Sequence, residues 1–287
     1  MVVVVNRQSR HSAHALAPLL AALHEHGLRV AEFHVAESGE EVRAHVKRAA
    51  KARAETVIVG GGDGTMAHAV DVLAHRRTAL GLVPLGTGNS FAQTLDVPRG
   101  DVAAAVAVIA AGKIATVDLG RVNGTHFANF ATIGLSSEIA GATSTAAKGL
   151  LGSIAYALAA VKPVLTHRAF RARIRWRGGR LVLRTQDIII ANGRYFGSTP
   201  VTPDASITDR RLNLFATGDP SRIGALRTYL AFGMHDQAKL RDAHAIAAPK
   251  FTIAAKRRQL ISIDGSLLEK TPAHFRVVPR ALRVYVP

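Results

Sequence analysis

A glycine-rich segment at residues 57–65, which reads VIVGGGDGT, has the residue types and spacing of a phosphate-binding loop. Glycines let the backbone turn sharply and approach a ligand closely, so that successive N–H groups can point at phosphate oxygens. A helix predicted to begin near Thr65 adds the positive end of its dipole. The spacing matches neither the Walker loop nor the dinucleotide fingerprint. The segment therefore predicts a phosphate site of another type.

Asp63 lies inside this segment. Its negatively charged carboxylate would stand beside the phosphate that the segment is predicted to bind, so its presence needs an explanation. Two roles are chemically sensible. The carboxylate could be an outer ligand to a phosphate-bound magnesium ion, or it could be the base for an attacking hydroxyl group. The alternative is a glycine connection that binds no ligand. The glycine-rich segment lies at the carboxyl end of a predicted parallel strand, where open α/β sheets bind their ligands, and this position argues against that alternative.

Two further polar segments follow neighbouring predicted strands. Residues 84–92 read PLGTGNSFA, in which Thr87 offers a hydroxyl group and Asn89 is expected to cap the next short helix. Asn6, Ser9 and Arg10 follow the first strand. Because the carboxyl ends of parallel strands meet at one edge of a sheet, we expect one pocket that draws on all three loops.

Hydrophobic periodicity divides the chain into two halves. The first 120 residues alternate strand and helix patterns, beginning with the valine run 2–5 and a helix whose Leu16, Leu20 and Leu23 share one face. This alternation predicts a parallel sheet covered by helices. After Asp118 the pattern changes to hairpins, signalled by Asn123-Gly124 and by residues 178–179. The sequence therefore predicts two domains, the second mainly antiparallel.

Composition excludes several kinds of site and demands an account of the charge. The chain has no cysteine, which rules out disulfides, thiolate nucleophiles and cysteine-based zinc or iron–sulfur centres. Its 37 basic and 20 acidic residues give a net charge of +17. Nucleic acid, an anionic membrane surface and a phosphorylated ligand are candidate partners, and a GC-rich genome is the alternative explanation. The apolar stretch 149–161 is shorter than the roughly 20 residues that span a bilayer.

One predicted strand separates apolar and basic residues by face. Alternate residues from Phe170 to Trp176 are apolar, and the positions between and after them are Arg171, Arg173, Arg175 and Arg177. A solvated strand face is the simpler interpretation. The functional alternative is contact with anionic lipid headgroups, to which each basic residue contributes about 1 kcal/mol. Nucleic-acid binding is disfavoured, because only 5% of the residues are aromatic and no stacking platform is visible.

Taken together, the two glycine segments resemble the diacylglycerol kinase catalytic domain family, which includes sphingosine kinases and bacterial lipid kinases and is related to NAD kinases. The resemblance continues through residues 118–120, 129–130, 191–193, 203–205 and 263–265. It implies an α/β Rossmann-like nucleotide-binding domain over residues 1–118 and a mainly antiparallel β-sandwich domain for the lipid acceptor over residues 119–274. A strand at about residues 275–287 is expected to return to the first domain.

The resemblance also implies ATP and Mg²⁺ as cofactors. The residues expected near ATP are Asn6, Ser9, Arg10, Gly61, Gly62, Asp63, Gly64, Thr65, Thr87 and Asn89. A structural Mg²⁺ is expected in the loop from Ser206 to Arg211, with Asp209 as its side-chain ligand. Here the sequence departs from the family, because Asp209-Arg210-Arg211 stands where members usually have Asp-Gly-Leu. Val35 stands about where members commonly have a nucleotide-contacting threonine.

The largest departure lies near the carboxyl terminus. Family members typically have Asp-Gly-Glu there, and the glutamate is taken as the base that activates the lipid hydroxyl; this chain has Asp264-Gly265-Ser266. A serine is a poor proton acceptor near neutral pH, whereas a carboxylate is a good one. Asp264, Asp63 and Glu269 are the candidates for a replacement base. Weak or lost phosphoryl transfer is the fourth alternative.

The function hypothesis is an ATP- and Mg-dependent lipid kinase that phosphorylates a hydroxyl of a diacylglycerol-like or sphingoid-base acceptor in phospholipid biosynthesis. One alternative is a non-catalytic nucleotide- or lipid-binding relative, and another is a kinase for a soluble acceptor such as NAD. We expect a cytoplasmic protein that contacts the anionic inner face of the membrane peripherally and binds no nucleic acid. The sequence does not distinguish a monomer from a homodimer.

Overall fold

The computed structural model describes residues 1–146, 162–163, 166–196, 199–200, 205–221 and 243–287. The apolar stretch 149–161 and part of the 203–205 motif lie outside the described residues. The chain divides into two compact units. Unit 1 comprises Met1–Leu119 and Val278–Pro287, and unit 2 comprises Gly120–Val277.

Unit 1 alternates strands and helices along the chain, as the sequence predicts. Its elements are β1 (Val2–Asn6), α1 (Ser12–Glu25), β2 (Glu32–Ala36), α2 (Gly39–Lys51), β3 (Thr56–Gly61), α3 (Asp63–Leu73), β4 (Ala79–Pro84), α4 (Ser90–Thr94) and α5 (Val102–Ala110). Strand β5 (Ile114–Val122) begins in unit 1 and ends in unit 2, whereas β18 (Ala273–Tyr285) begins in unit 2 and ends in unit 1.

The sheet of unit 1 is parallel, in the order β2-β1-β3-β4 followed by the end of β18. Every residue of β1 is buried, because α1 and α5 cover one face while α2 and α3 pack together on the other. The face predicted for α1 is partly wrong. Leu19 and Leu23 are buried, but Leu20 is 50% exposed, since the buried stripe also includes Ala15 and Ala22.

Unit 2 consists mainly of antiparallel strands. Its remaining elements are β6 (Thr125–Phe127), β7 (Phe130–Gly134), α6 (Leu135–Ala146), β8 (Phe170–Trp176), β9 (Gly179–Thr185), β10 (Asp187–Ala191), β11 (Tyr195–Phe196), β12 (Thr199–Pro200), β13 (Leu212–Thr217), β14 (Ala243–Ala248), β15 (Lys250–Ala255), β16 (Leu260–Ile263) and β17 (Leu267–Lys270). Both predicted hairpins are present, between β5 and β6 and between β8 and β9.

Two antiparallel sheets pack against each other in unit 2. One has the strand order β14-β13-β10-β7-β16-β17, and the other has β15 between β8 and the start of β18, with β9 beyond β8. A single hydrophobic core contains buried residues of both sheets, among them Ile133, Ile174, Ile190 and Phe251. The predicted fold class, an α/β domain plus a mainly antiparallel β-sandwich domain, is confirmed.

Strand β8 shows the predicted alternation, with one correction. Phe170, Ala172 and Ile174 are buried in the core, and the arginines between them are exposed. The strand ends at Trp176, whose partner on β9 is Gly179. Arg177 therefore lies in the turn that joins the two strands, and the strand face itself carries three arginines.

Candidate functional site

The two glycine loops of unit 1 touch each other. They follow β3 and β4, which are neighbours in the parallel sheet, and the Leu85 N–H donates to the Gly61 carbonyl at 2.9 Å. A Cβ atom placed on Gly86 would lie 2.5 Å from the Cα of Gly62. Real Cβ atoms do not approach backbone so closely, so the contact requires glycine at that position. Neighbouring glycine loops at the carboxyl edge of the sheet are what the sequence predicts.

Residues that follow β1 reach both loops. Asn6 donates from Nδ2 to Thr65 Oγ1 at 2.9 Å, and both residues are buried. The exposed Arg10 donates from Nη1 to Thr87 Oγ1 at 3.4 Å. Ser9 lies in the intervening turn, where its N–H donates to the Asn6 carbonyl at 3.1 Å. The structure thus brings three loops of unit 1 to one sheet edge, as predicted.

Asp63 links the first glycine loop to the start of α4. Its Oδ1 accepts a hydrogen bond from the Ser90 N–H at 2.6 Å. Burial raises the pKa of Asp63 above its ordinary value, while N–H groups at the start of α4 oppose that shift. The carboxylate therefore acts as a helix cap supplied from a neighbouring loop. Sequence reasoning missed Ser90 as a member of this site, because the contact joins residues that are distant in the chain.

Asn89 has a different role from the predicted one. It precedes α4, but its φ of 51° places it in the left-handed region and its side chain does not cap the helix. Instead, Oδ1 accepts from the Gly86 N–H at 2.9 Å and Nδ2 donates to the Gly86 carbonyl at 2.8 Å. Both polar atoms of the amide are used to shape the loop, and Asp63 provides the cap in its place.

This edge is suited to binding a phosphorylated anion. The first turn of α3 contains Asp63, Gly64 and Thr65, whose N–H groups have no acceptor within the helix, and the helix dipole favours negative charge there. Arg10 adds a positive charge beside Thr87. The arrangement can hold a chain of phosphates on backbone N–H groups and one guanidinium.

Asp264, in unit 2, is a structural anchor. Its Oδ1 accepts from the N–H groups of Asn129 at 3.1 Å and Phe130 at 2.9 Å, and its Oδ2 accepts from that of Ala128 at 2.8 Å. The residue is buried. A carboxylate whose two oxygens already accept three N–H groups is badly placed to take a proton from a substrate. The geometry therefore does not support the prediction of Asp264 as the base.

Ser266 follows Asp264 in the turn between β16 and β17. Its N–H donates to the Ile263 carbonyl at 3.1 Å, which closes the turn. Its hydroxyl oxygen is buried and has no hydrogen-bond partner among the described residues. Glu269, another predicted candidate for the base, is paired with Ile261 across β16 and β17 and is partly buried. That Ser266 occupies the place of the family base, and that Glu269 replaces that base, both stay predictions.

The loop predicted to hold a structural Mg²⁺ has few suitable donors. Asp209 is exposed, and its Oδ1 already accepts from the Arg211 N–H at 2.8 Å. The hydroxyl of Ser206 lies 3.0 Å from that of Thr208. Within the described ranges, no group of three His, Asp or Glu side chains could hold a metal ion. The loop thus offers one exposed carboxylate beside two arginines, and its role as a structural Mg²⁺ site stays a prediction.

A buried carboxylate in unit 2 was not predicted. Asp187 accepts hydrogen bonds from the hydroxyl and, at 3.3 Å, from the N–H of Ser136, near the start of α6. Burial raises the pKa of Asp187 to about 7, the bonds from Ser136 oppose that shift, and Glu138 adds to it. Asp187 begins an apolar strand, so its sequence context resembles an ordinary strand boundary.

Comparison with known proteins covers almost the whole chain. Residues 1–122 match the family model "Diacylglycerol kinase catalytic domain", and residues 130–286 match "YegS C-terminal NAD kinase beta sandwich-like domain". A "Probable lipid kinase YegS-like" protein of Pseudomonas aeruginosa PAO1 is 33% identical over 277 residues, which are 93% of this chain and 88% of that protein. A "Probable lipid kinase YegS" of Salmonella arizonae is 32% identical over 284 residues, 95% and 91% of the two chains.

A solved structure gives the same fold. A diacylglycerol kinase from Bacillus anthracis str. Sterne has a TM-score of 0.71 to this chain at 21% identity, covering 100% of this chain and 96% of the other. Among the described residues, no helix is both long enough and apolar enough to cross a bilayer. The resemblance found in the glycine segments is confirmed. The chain belongs to the diacylglycerol kinase family and, with its YegS-like relatives, to the lipid kinases.

Proposed function

We propose that this chain transfers the γ-phosphoryl group of Mg·ATP to a hydroxyl of a diacylglycerol-like or sphingoid-base lipid. The observation that carries the proposal is the contact between Gly62 and Gly86, which joins two glycine loops into one backbone surface at the carboxyl edge of the parallel sheet. Family membership supports a lipid acceptor, since relatives over 30% identical carry the name lipid kinase.

The residues of unit 1 suit a reaction that depends on positioning and charge neutralisation. N–H groups at the start of α3 would hold the phosphates, and Arg10 would add a positive charge. The Asn6–Thr65 hydrogen bond fixes the first strand against this helix. When bound with ATP, magnesium neutralises part of the phosphate charge. Asp63 is committed to the start of α4, so its contacts favour positioning of the two loops over proton transfer.

One observation favours a second candidate, a non-catalytic relative that binds nucleotide or lipid. The carboxylate of Asp264 already accepts three backbone N–H groups, and Ser266 stands where the family base is expected. A chain with intact phosphate loops and no base would bind ATP and transfer nothing, or transfer slowly.

A transfer experiment with labelled ATP separates these alternatives. The protein is incubated with Mg²⁺ and γ-labelled ATP together with diacylglycerol micelles, sphingosine micelles, or NAD without detergent. Labelled lipid is the expected product, and Gly86→Ala protein, in which the loops cannot meet, is the matched control. ATP binding without any labelled product would establish the non-catalytic candidate, and label in NAD alone would establish a soluble acceptor.

A gain-of-function pair tests the missing base directly. Ser266→Glu should raise turnover of a suitable lipid at least tenfold, because a positioned general base contributes ~10²–10⁴-fold. Ser266→Gln has nearly the same size and cannot accept a proton as a carboxylate does, so it should show no gain. A fast wild-type enzyme that Ser266→Glu slows would place the base on another residue.

A further inference from the structure

The positive charge of the chain is concentrated in unit 2. Residues 120–277 contain 23 basic and nine acidic side chains, a net charge of +14. Unit 1 contains 14 and 11, a net charge of +3. A GC-rich genome would enrich arginine in both units. The imbalance therefore indicates a cause that acts on unit 2.

Five of these basic side chains lie on the face of β8 and β9 that points away from the core. Arg171 lies directly opposite Arg184, and Arg175 lies directly opposite Arg180. All four residues are exposed. Like charges directly opposite each other in an antiparallel pair destabilise it. The isolated protein gains nothing from these pairs, so an anionic partner that separates and neutralises them would be favoured.

The same face continues across two more strands. Thr252 of β15 is paired with Arg175 on one side and with His274 of β18 on the other, and Lys250 is paired with Arg276. The basic face is defined by seven exposed residues: Arg171, Arg173, Arg175, Arg180, Arg184, Lys250 and Arg276. No ion pair to any of them is found within the part of the chain that the structure describes.

An exposed apolar residue lies within the basic face. Val182 is 46% exposed, stands between Arg180 and Arg184 on β9, and is paired with Arg173. At a strand spacing of about 4.8 Å, four strands make a face about 15 Å wide. On this face the four strands hold no Phe, Tyr or Trp side chain on which a nucleic-acid base could stack.

We propose that the basic face docks unit 2 on an anionic lipid bilayer, with its arginines at the headgroups and Val182 at the boundary with the acyl chains. A broad sheet face with many cations and one apolar residue fits a continuous anionic surface that has apolar material beneath it. This inference goes beyond phosphoryl transfer. Its test contains no ATP, so its failure would leave the proposed kinase activity untouched.

Cosedimentation with vesicles tests the charge requirement. The wild-type protein should bind vesicles that contain about one third phosphatidylglycerol and leave pure phosphatidylcholine vesicles unbound, and added salt should weaken the binding. The triple variant Arg171→Gln, Arg173→Gln and Arg175→Gln should bind roughly 100-fold more weakly, given about 1 kcal/mol for each basic residue. Thermal unfolding checks that the variant is folded. Because the substitutions remove two pairs of like charges, the variant should be at least as stable as the wild-type protein.

A control triple variant removes the same charge from unit 1. Lys47, Arg48 and Lys51 are exposed on α2, and their replacement by glutamine should change vesicle binding little. An equal loss in both triple variants would overturn the proposal, because total charge would then explain binding. Equal binding to neutral vesicles, or tighter binding to duplex DNA than to the anionic vesicles, would overturn it as well.

A single fluorophore tests which surface meets the membrane. Because the chain has no cysteine, Val182→Cys can be labelled uniquely with an environment-sensitive dye. Leu20→Cys, at a similarly exposed apolar position in unit 1, is the matched control. Addition of phosphatidylglycerol vesicles should shift the emission of the dye at residue 182 to the blue and leave the dye at residue 20 unchanged. The opposite pattern, or no shift at either site, would overturn the proposal.

Discussion

Asp187 should make the stability of unit 2 fall as the pH rises. Its carboxyl is buried beside Ser136 and has a pKa raised to about 7 from an ordinary value of 3.8. The folded protein therefore keeps this proton to a higher pH than the unfolded chain does. Stability falls with pH wherever the folded state binds more protons, so the loss occurs between about pH 4 and pH 7. Asp187→Asn removes the titrating group and with it this loss.

The size of the effect follows from the shift. Each pH unit over which only the folded state holds the proton lowers the free energy of unfolding by about 1.4 kcal/mol. Between pH 5 and pH 8 this loss occurs over the two pH units from pH 5 to the pKa of about 7. The free energy of unfolding therefore falls by roughly 2.7 kcal/mol. The amide that Asp187→Asn introduces could still accept one hydrogen bond from Ser136. The stability of Asp187→Asn relative to wild type should thus increase by about that amount over this range.

Urea unfolding at pH 5 and pH 8 measures the difference. The only tryptophan, Trp176, packs against the core of unit 2 and reports its unfolding by fluorescence. Asp209→Asn is the matched control, because it removes a carboxylate from an exposed loop of the same unit. A stability difference between Asp187→Asn and wild type that is the same at both pH values, or that shrinks as the pH rises, would refute the reasoning.

Three further substitutions test the polar contacts of the candidate sites. Gly86→Ala should weaken ATP binding at least tenfold, about 1.4 kcal/mol by titration calorimetry, because its Cβ would overlap Gly62; unchanged affinity would remove the contact from the site. Asp63→Ala should abolish turnover and, because it removes the cap of α4 at Ser90, lower the free energy of unfolding by about 0.5–2 kcal/mol. Wild-type activity in the folded variant would contradict a role for Asp63 in the reaction. Asp264→Asn should lower stability by about 2–3 kcal/mol in urea unfolding, and an unaltered midpoint would count against the anchor.

The sequence predicted the fold well in the segments whose hydrophobic pattern follows directly from burial. The valine run of β1 is apolar at consecutive positions because helices cover both faces of its sheet, and that pattern identifies a parallel sheet. The alternation in β8 likewise gave the buried and exposed faces correctly. Leu20 was misassigned because the buried stripe of α1 includes Ala15 and Ala22, and small residues give a weak periodic signal. Arg177 was misassigned because the end of the strand depends on pairing with β9.

The sequence predicted where the loops of the candidate site lie, but it did not predict which side chains contact each other there. Neighbouring parallel strands had to bring the glycine loops together, and they do. That Asp63 caps α4 in place of Asn89 was not predictable, because it depends on the left-handed backbone at Asn89 and on a contact between Asp63 and the start of α4. The width of the basic face was also not predictable. Lys250 and Arg276 join it through the pairing of strands that are far apart in the sequence.

Asp63, Asn89 and Asp264 show why loss of activity alone would be a weak test of catalysis in this chain. Each uses a side-chain oxygen to accept a backbone N–H, so its removal alters a loop as well as any chemistry. Ser266 differs, because among the described residues its hydroxyl oxygen has no hydrogen-bond partner to lose. Ser266→Glu therefore adds a proton acceptor without breaking a bond. A gain in turnover there that Ser266→Gln does not share would have no structural explanation, and it would locate the position at which the reaction needs its base.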